Sequence, residues 1–207
     1  VMRGHVEAMM DGVYPLDVEH LAVAYDQILH LTRLIEDMRL LTKAEAGQLP
    51  LDKTIIEPQE LITRAVQRFQ PLAEDAQITF ETDIAPNMPS IRIDVNRIQQ
   101  ALDNLIANAI RHTHPDGKIS LSGSVDKKGD LILRIHNTGE PIPANVINHV
   151  FDRFWRADDA RERDAGGTGL GLAITRLLVE LHDGSINALP TPDGATFEIT
   201  LPIATTV

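Results

Sequence analysis

A chain of 207 residues makes one large domain or two small ones, and with 43% hydrophobic but only 4% aromatic residues its core must be built from Leu, Ile, Val and Ala. A formal net charge of −11 with no basic stripe argues against binding to a nucleic-acid backbone or an anionic membrane surface. The lack of cysteine removes disulfides, thiolate chemistry and cysteine–zinc sites, and no apolar run reaches the roughly 18 residues that span a bilayer.

Residues 1–10 are helix-like from the first position and carry no signal peptide, so the sequence reads as a piece of a longer chain. A turn at 11–15 follows, and Asp17 is placed to cap a long helix. Along that helix Leu21, Ala24, Ile28, Leu31, Ile35 and Met38 alternate three- and four-residue steps, the spacing of a supercoiling seam. Leu34 and Leu41 widen the stripe towards a bundle, and Gly47 and Pro50 end the helix.

Beyond about residue 50 helical and strand patterns alternate. Strands are expected at 51–57, 77–84 and 91–93, and an amphipathic helix at 58–74. A strong helix covers 94–113, and a hairpin follows with strands at 118–125 and 130–137. A short helix at 143–149, a polar loop at 158–167, a helix at 169–182 and closing strands at 185–189 and 195–201 complete the pattern. Sheet and helices interleaved over about 150 residues predict an α+β, two-layer sandwich.

In the helix at 94–113, Ile98, Ala101, Leu102, Leu105, Ile106 and Ala109 form one apolar face. Asn104, Asn108, Arg111 and His112 line a stripe beside it. Asparagine is a poor helix-interior residue, because its amide competes for backbone hydrogen bonds. The stripe reads either as a solvated polar edge or as a place where an amide oxygen ligates Mg²⁺ and the basic residues face phosphates.

Gly167-Thr168-Gly169-Leu170-Gly171 runs from a loop into a helix, whose N-terminal amides can face an anion. No Lys-Ser or Lys-Thr follows, so this is not a P-loop, and no strand directly precedes it as in a dinucleotide fold. His136-Asn137-Thr138-Gly139-Glu140-Pro141-Ile142 ends a strand, either as an ordinary turn or as a base-reading edge through Asn137. Phe151-Asp152-Arg153-Phe154-Trp155-Arg156 clusters three of the eight aromatics, with Arg156 open to a phosphate or to Asp158 and Asp159.

In this order and spacing the segments resemble the catalytic ATP-binding domain of sensor histidine kinases. Residues 104–113 resemble the family's asparagine box, 137–142 its first glycine box, 151–156 its phenylalanine box and 167–171 its second glycine box. Gly194-Ala195-Thr196-Phe197 resembles its closing strand, and the heptad helix resembles the second helix of the dimerisation and phosphotransfer hairpin. The resemblance covers essentially the whole chain. It implies a Bergerat-type ATP-binding fold over 48–207, preceded at 1–47 by a partial hairpin of a dimeric four-helix bundle.

The resemblance also implies roles. Asn108 would be the Mg²⁺ ligand, with Asn104 helping at the phosphates of ATP or ADP and Arg111 contacting phosphate, and Arg156 is a further candidate for the nucleotide site. Asn137 replaces the usual adenine-reading Asp, with Gly139 and Ile142 in the same box. Gly167, Thr168, Gly169, Leu170 and Gly171 would shape the lid and phosphate turn, and Thr196 would support adenine through a water. Pro141 stands where a second Gly is usual, and His112 where an aromatic hydroxyl is common. None of His5, His20 or His30 has the family's phosphoacceptor context, so the fragment is expected to bind nucleotide without labelling itself. The implied partners are a response regulator receiver domain and a second copy of the chain. The implied setting is the cytoplasmic portion of a sensor that can carry a membrane anchor. Two alternatives stay open: a chaperone-, mismatch-repair- or topoisomerase-type ATPase, and a helical module with a degenerate nucleotide site.

Overall fold

The computed structural model describes residues 2–86, 88–156 and 167–203. The chain divides into two compact units, Val1–Gly47 and Gln48–Val207.

The first unit is a helical hairpin of α1 (Met2–Met10) and α2 (Val18–Glu45). The Asp17 side chain caps α2 by accepting from the His20 N–H, and Gly47 follows the helix at a φ of 65°. Of the heptad residues Ala24 is buried, whereas Leu21, Ile28, Leu31, Ile35 and Met38 are all exposed. Met9, Leu16, Ala24, Tyr25 and Ile28 help line an apolar recess of about 470 Å³.

The second unit is a sandwich of helices on one face of a mixed sheet. In chain order its elements are β1 (Thr54–Ile56), α3 (Pro58–Asp75), β2 (Thr79–Ile84), β3 (Ile91–Ile93), α4 (Val95–His112), β4 (Lys118–Val125), β5 (Leu131–Thr138), α5 (Gly171–Glu180), β6 (Ser185–Thr191) and β7 (Gly194–Leu201). Five strands run in the order β2-β4-β5-β7-β6, with β2 parallel to β4 and every other pair antiparallel. β1 and β3 form a separate antiparallel pair.

Strand alternation decides which side chains meet the helices. Leu133, Ile135, Phe197 and Ile199 are buried with Leu61, Ile62, Ile98, Leu102, Leu105, Ile106, Ile174 and Leu178 of the helices. The opposite face is polar: Arg134 bonds Glu198 at 2.6 Å, and Lys118 bonds Glu81 at 2.6 Å. One hydrophobic and one solvated face is the usual state of a largely antiparallel sheet.

The expected short helix at 143–149 is instead a run of turns. Val146 and His149 donate to carbonyls three residues back, and only Ile147 reaches four, to Pro143. Most of the polar loop expected at 158–167 lies outside the described residues. Among the described residues, no helix is long and apolar enough to cross a membrane.

Candidate nucleotide site

The site is organised by α4. Asp94 caps it, accepting from the Arg97 N–H at 3.1 Å, and the last turn carries Arg111 and His112, where positive charge suits the helix dipole. The apolar face packs into the core, which fixes the rotation of the helix and sets Asn104 and Asn108 half-buried along its edge.

The first contact is with α5. The Asn104 amide nitrogen donates to the Gly171 carbonyl at 3.1 Å, and Thr175 Oγ1 donates to the same oxygen at 2.8 Å. Asn104 thus braces the N-terminus of α5. Asn108 has no side-chain hydrogen bond to a described residue, so its amide oxygen is available to a ligand.

The second contact joins the ends of α4 and β5. Gly139 stands at a φ of 148°, and a Cβ there would overlap the His112 carbonyl oxygen. Its N–H donates to the Asp193 carbonyl at 3.0 Å, drawing in the turn between β6 and β7. Asn137, two residues earlier, is 2% exposed and donates through Nδ2 to the Thr138 carbonyl at 3.2 Å. Ile142 lies half-buried just beyond.

The third contact links the aromatic and glycine segments. Phe151 packs edge-on against Phe197 with ring centres 6.0 Å apart. The Phe154 N–H donates to the Gly169 carbonyl at 2.8 Å, and both residues have positive φ, 60° and 69°. A Cβ at Gly169 would lie 2.9 Å from the Phe154 Cα, so only glycine lets the two backbones meet this closely. Gly167 and Thr168 are half-buried, the Thr168 hydroxyl accepts from the Leu170 N–H at 3.2 Å, and Leu170 is fully buried as the anchor of the turn.

Positive charge gathers at the same end of α4. Arg111 keeps exposed surface, yet desolvation by the surrounding protein and then the neighbouring Arg156 charge lower its proton affinity. His112 is lowered by desolvation and by Arg111, with Glu140 opposing. Two guanidiniums held within electrostatic reach repel each other and gain from an anion that both can bind.

One sequence-based role requires correction. Thr196 pairs across the sheet with His136, and its hydroxyl lies 2.9 Å from His136 Nδ1. Asn137 pairs with Ala195. Side chains alternate along a strand, so Thr196 lies on the polar face, opposite Asn137, and cannot serve the same ligand. The residue beside Asn137 is Ala195, which carries no hydroxyl. Sequence reading also missed that Asn104 holds α5 and that Phe154 and Gly169 are backbone partners. The spacing of four along α4 and the paired positive-φ positions were the available signals.

Residues 93–205 match the family described as Histidine kinase-, DNA gyrase B-, and HSP90-like ATPase. Sensor protein kinase WalK of Staphylococcus aureus is 32% identical over 206 residues, covering 97% of this chain and 49% of that protein. The chain therefore spans about half the length of that relative, and 34% of WalK from strain JH9. Histidine kinase AdeS of Acinetobacter baumannii superposes with a TM-score of 0.83 at 26% identity, covering 99% of this chain and 94% of that one. The catalytic domain of histidine kinase ThkA gives 0.66 at 28% identity, over 73% of this chain and 96% of that one. ThkA is also solved in complex with the response regulator protein TrrA, a likeness at 22% identity that bears on fold alone. The match over residues 93–205, more than half the sequence, establishes that this chain is a nucleotide-binding domain of the histidine kinase-, DNA gyrase B- and HSP90-like ATPase family, homologous to sensor histidine kinases.

Proposed function

We propose that this chain is the catalytic core of a sensor histidine kinase that positions ATP for transfer of its γ-phosphate to a histidine, from which the phosphoryl group passes to an aspartate of a response regulator. The observation that carries this reading is the meeting of the Asn104–Asn108–Arg111 edge of α4 with the N-terminus of α5, through the Asn104–Gly171 hydrogen bond.

Phosphoryl transfer needs little covalent chemistry from protein and depends on positioning and charge stabilisation. Arg111 and Arg156 supply paired positive charge for the phosphates, and the first amides of α5, without a side-chain cap at Leu170, supply donors. Asn137 uses its Nδ2 towards Thr138, so its oxygen accepts from the exocyclic amino group of adenine. Mg²⁺ suits the half-buried amide oxygen of Asn108, a neutral hard donor, with phosphates and water completing its shell. When bound, the ion neutralises charge developing on the phosphates.

The hydrolase alternative would draw its base from the acidic residue of the asparagine helix. Asp103 is ion-paired with Arg68 of α3 and accepts from Gln99 at 2.9 Å, so it is not poised to activate water. The exposed Leu21–Ile28–Leu31–Ile35 seam of α2 supports a homodimer with a second copy, and homology to sensor protein kinases supports a response regulator receiver domain as the partner. The setting is the cytoplasmic side of the sensor. Incubation with γ-labelled ATP tests the reading: the chain binds nucleotide and acquires no acid-labile label on its own histidines. Steady release of phosphate by the isolated chain overturns it in favour of a hydrolase.

A further inference from the structure

His182 takes no part in the reading above. It follows α5 and is 2% exposed. Its Nδ1 lies 2.7 Å from the Leu178 carbonyl, which can only accept, and its Nε2 lies 2.9 Å from the Asp94 backbone N–H, which can only donate. These partners fix one tautomer, with the proton on Nδ1 and a lone pair on Nε2. A second proton would set Nε2–H against another N–H.

Asp94 begins α4. Its carboxylate accepts from the Arg97 N–H at 3.1 Å and the Asp52 N–H at 3.0 Å. His182 therefore bolts the end of α5 to the start of the helix that carries Asn104, Asn108 and Arg111. α4 and α5 run antiparallel and are tied at two heights, Asp94 to His182 and Asn104 to Gly171, with Thr175 Oγ1 lying 3.4 Å from the Ala101 carbonyl between them. At about 1.5 Å per residue, the two ties lie roughly 15 Å apart on either helix, so they share one register. A slip of one turn by α5 breaks both.

We propose that His182 is a positioning residue for the nucleotide site: its neutral ring anchors the far end of α5, setting where the α5 N-terminus stands against Asn104 and Asn108, and protonation releases that anchor. This rests on the functional reading above.

The charged groups around the ring are Asp94 from the cap of α4, Lys53 from the segment before β1, and Asp183 beside it; Lys53 and Asp183 pair at 3.3 Å. Burial is the largest influence and lowers the proton affinity of the ring; the Leu178 bond, Asp94 and Asp183 oppose it, and Lys53 adds to it. The unfolded chain therefore takes up the proton first as pH falls. Stability from the neutral ring is complete above about pH 6.5 and is lost as pH drops from there towards the lower folded value.

The test compares wild type, His182→Gln and His182→Leu by chemical denaturation from pH 5 to 8, with Mg-ADP calorimetry alongside. Gln offers a neutral acceptor to Asp94 that cannot titrate. Relative to His182→Gln, the wild-type unfolding constant is expected to rise by up to about tenfold per pH unit below 6.5. At pH 7.5 His182→Leu is expected to bind Mg-ADP about tenfold more weakly, with Gln restoring most of the affinity. Superimposable pH slopes for wild type and His182→Gln overturn the proton latch, a comparison that stands even where His182→Leu does not fold. A wild type that binds Mg-ADP beside a His182→Leu that binds equally well overturns the positioning role alone. Absence of binding by the wild type at any pH overturns the functional reading and the nucleotide role of His182 with it.

Discussion

Replacing Gly139 by alanine probes the joint between the asparagine helix and the end of β5. The added Cβ would overlap the His112 carbonyl oxygen, an atom held by the last turn of α4. It cannot be relieved by a side-chain rotation, because the obstacle is backbone. The φ of 148° adds strain for any residue with a Cβ. Overpacking costs about 1–3 kcal/mol, and an unfavourable φ about 1–3 kcal/mol. The expected loss is therefore about 2–6 kcal/mol, out of the roughly 5–15 kcal/mol typical of a whole domain. At about 2–4 °C per kcal/mol for a chain of this size, Tm should fall by about 4–24 °C. The assay is chemical and thermal denaturation without nucleotide, so loss of ligand cannot imitate the effect. Gly171→Ala is the control, since a Cβ there meets nothing closer than 3.7 Å and the residue opens α5. It should hold stability or add up to about 1 kcal/mol. A Gly139→Ala protein within about 0.5 kcal/mol of wild type would show that the His112 carbonyl is not a fixed obstacle, because the substitution would then rank with ordinary surface changes.

Arg111→Met should leave the nucleotide-free protein as stable as wild type or more so, since it removes a cation facing Arg156. It should nevertheless weaken Mg-ADP binding by roughly ten- to a hundredfold, a charge-assisted hydrogen bond being lost; equal affinity by calorimetry would contradict this. His112 has a lowered proton affinity in the free protein, so the stability from its neutral form is present above about pH 6.5 and declines below it. Bound phosphates favour its charged form, so Mg-ADP binding near pH 6 should take up protons. Calorimetry in buffers of different ionisation enthalpy reads that uptake, and a zero or opposite sign rules the contact out. Ile28→Asp with Ile35→Asp, both on the exposed seam of α2, should convert a dimer to a monomer in sedimentation. A wild-type monomer at micromolar concentration would dismiss that interface.

Local signals made much of the fold legible. The apolar period and the Asp94 cap fixed α4 to within a residue, and the turn at Lys127–Gly129 fixed the hairpin of β4 and β5. Asn108 stood out because asparagine is expensive inside a helix. What stayed hidden depended on long-range register. Thr196 reads as a polar residue near the ligand until the pairing of Asn137 with Ala195 shows which face it takes. The 143–149 segment offers a helix start at Pro143 and Ala144, but Asn145, Val146, Asn148 and His149 are weak helix formers, and its hydrogen bonds close as turns. His182 gave no signal at all, because its partner Asp94 lies 88 positions away in sequence.

Mg-ADP calorimetry on the wild type and on Asn108→Ala asks whether this site holds a metal-bound nucleotide. Micromolar-range binding by the wild type that requires Mg²⁺ is expected, with loss or sharp weakening in Asn108→Ala and the fold intact by circular dichroism. Equal binding by both proteins would remove Asn108 from the site, and no binding by either would contradict the nucleotide reading itself.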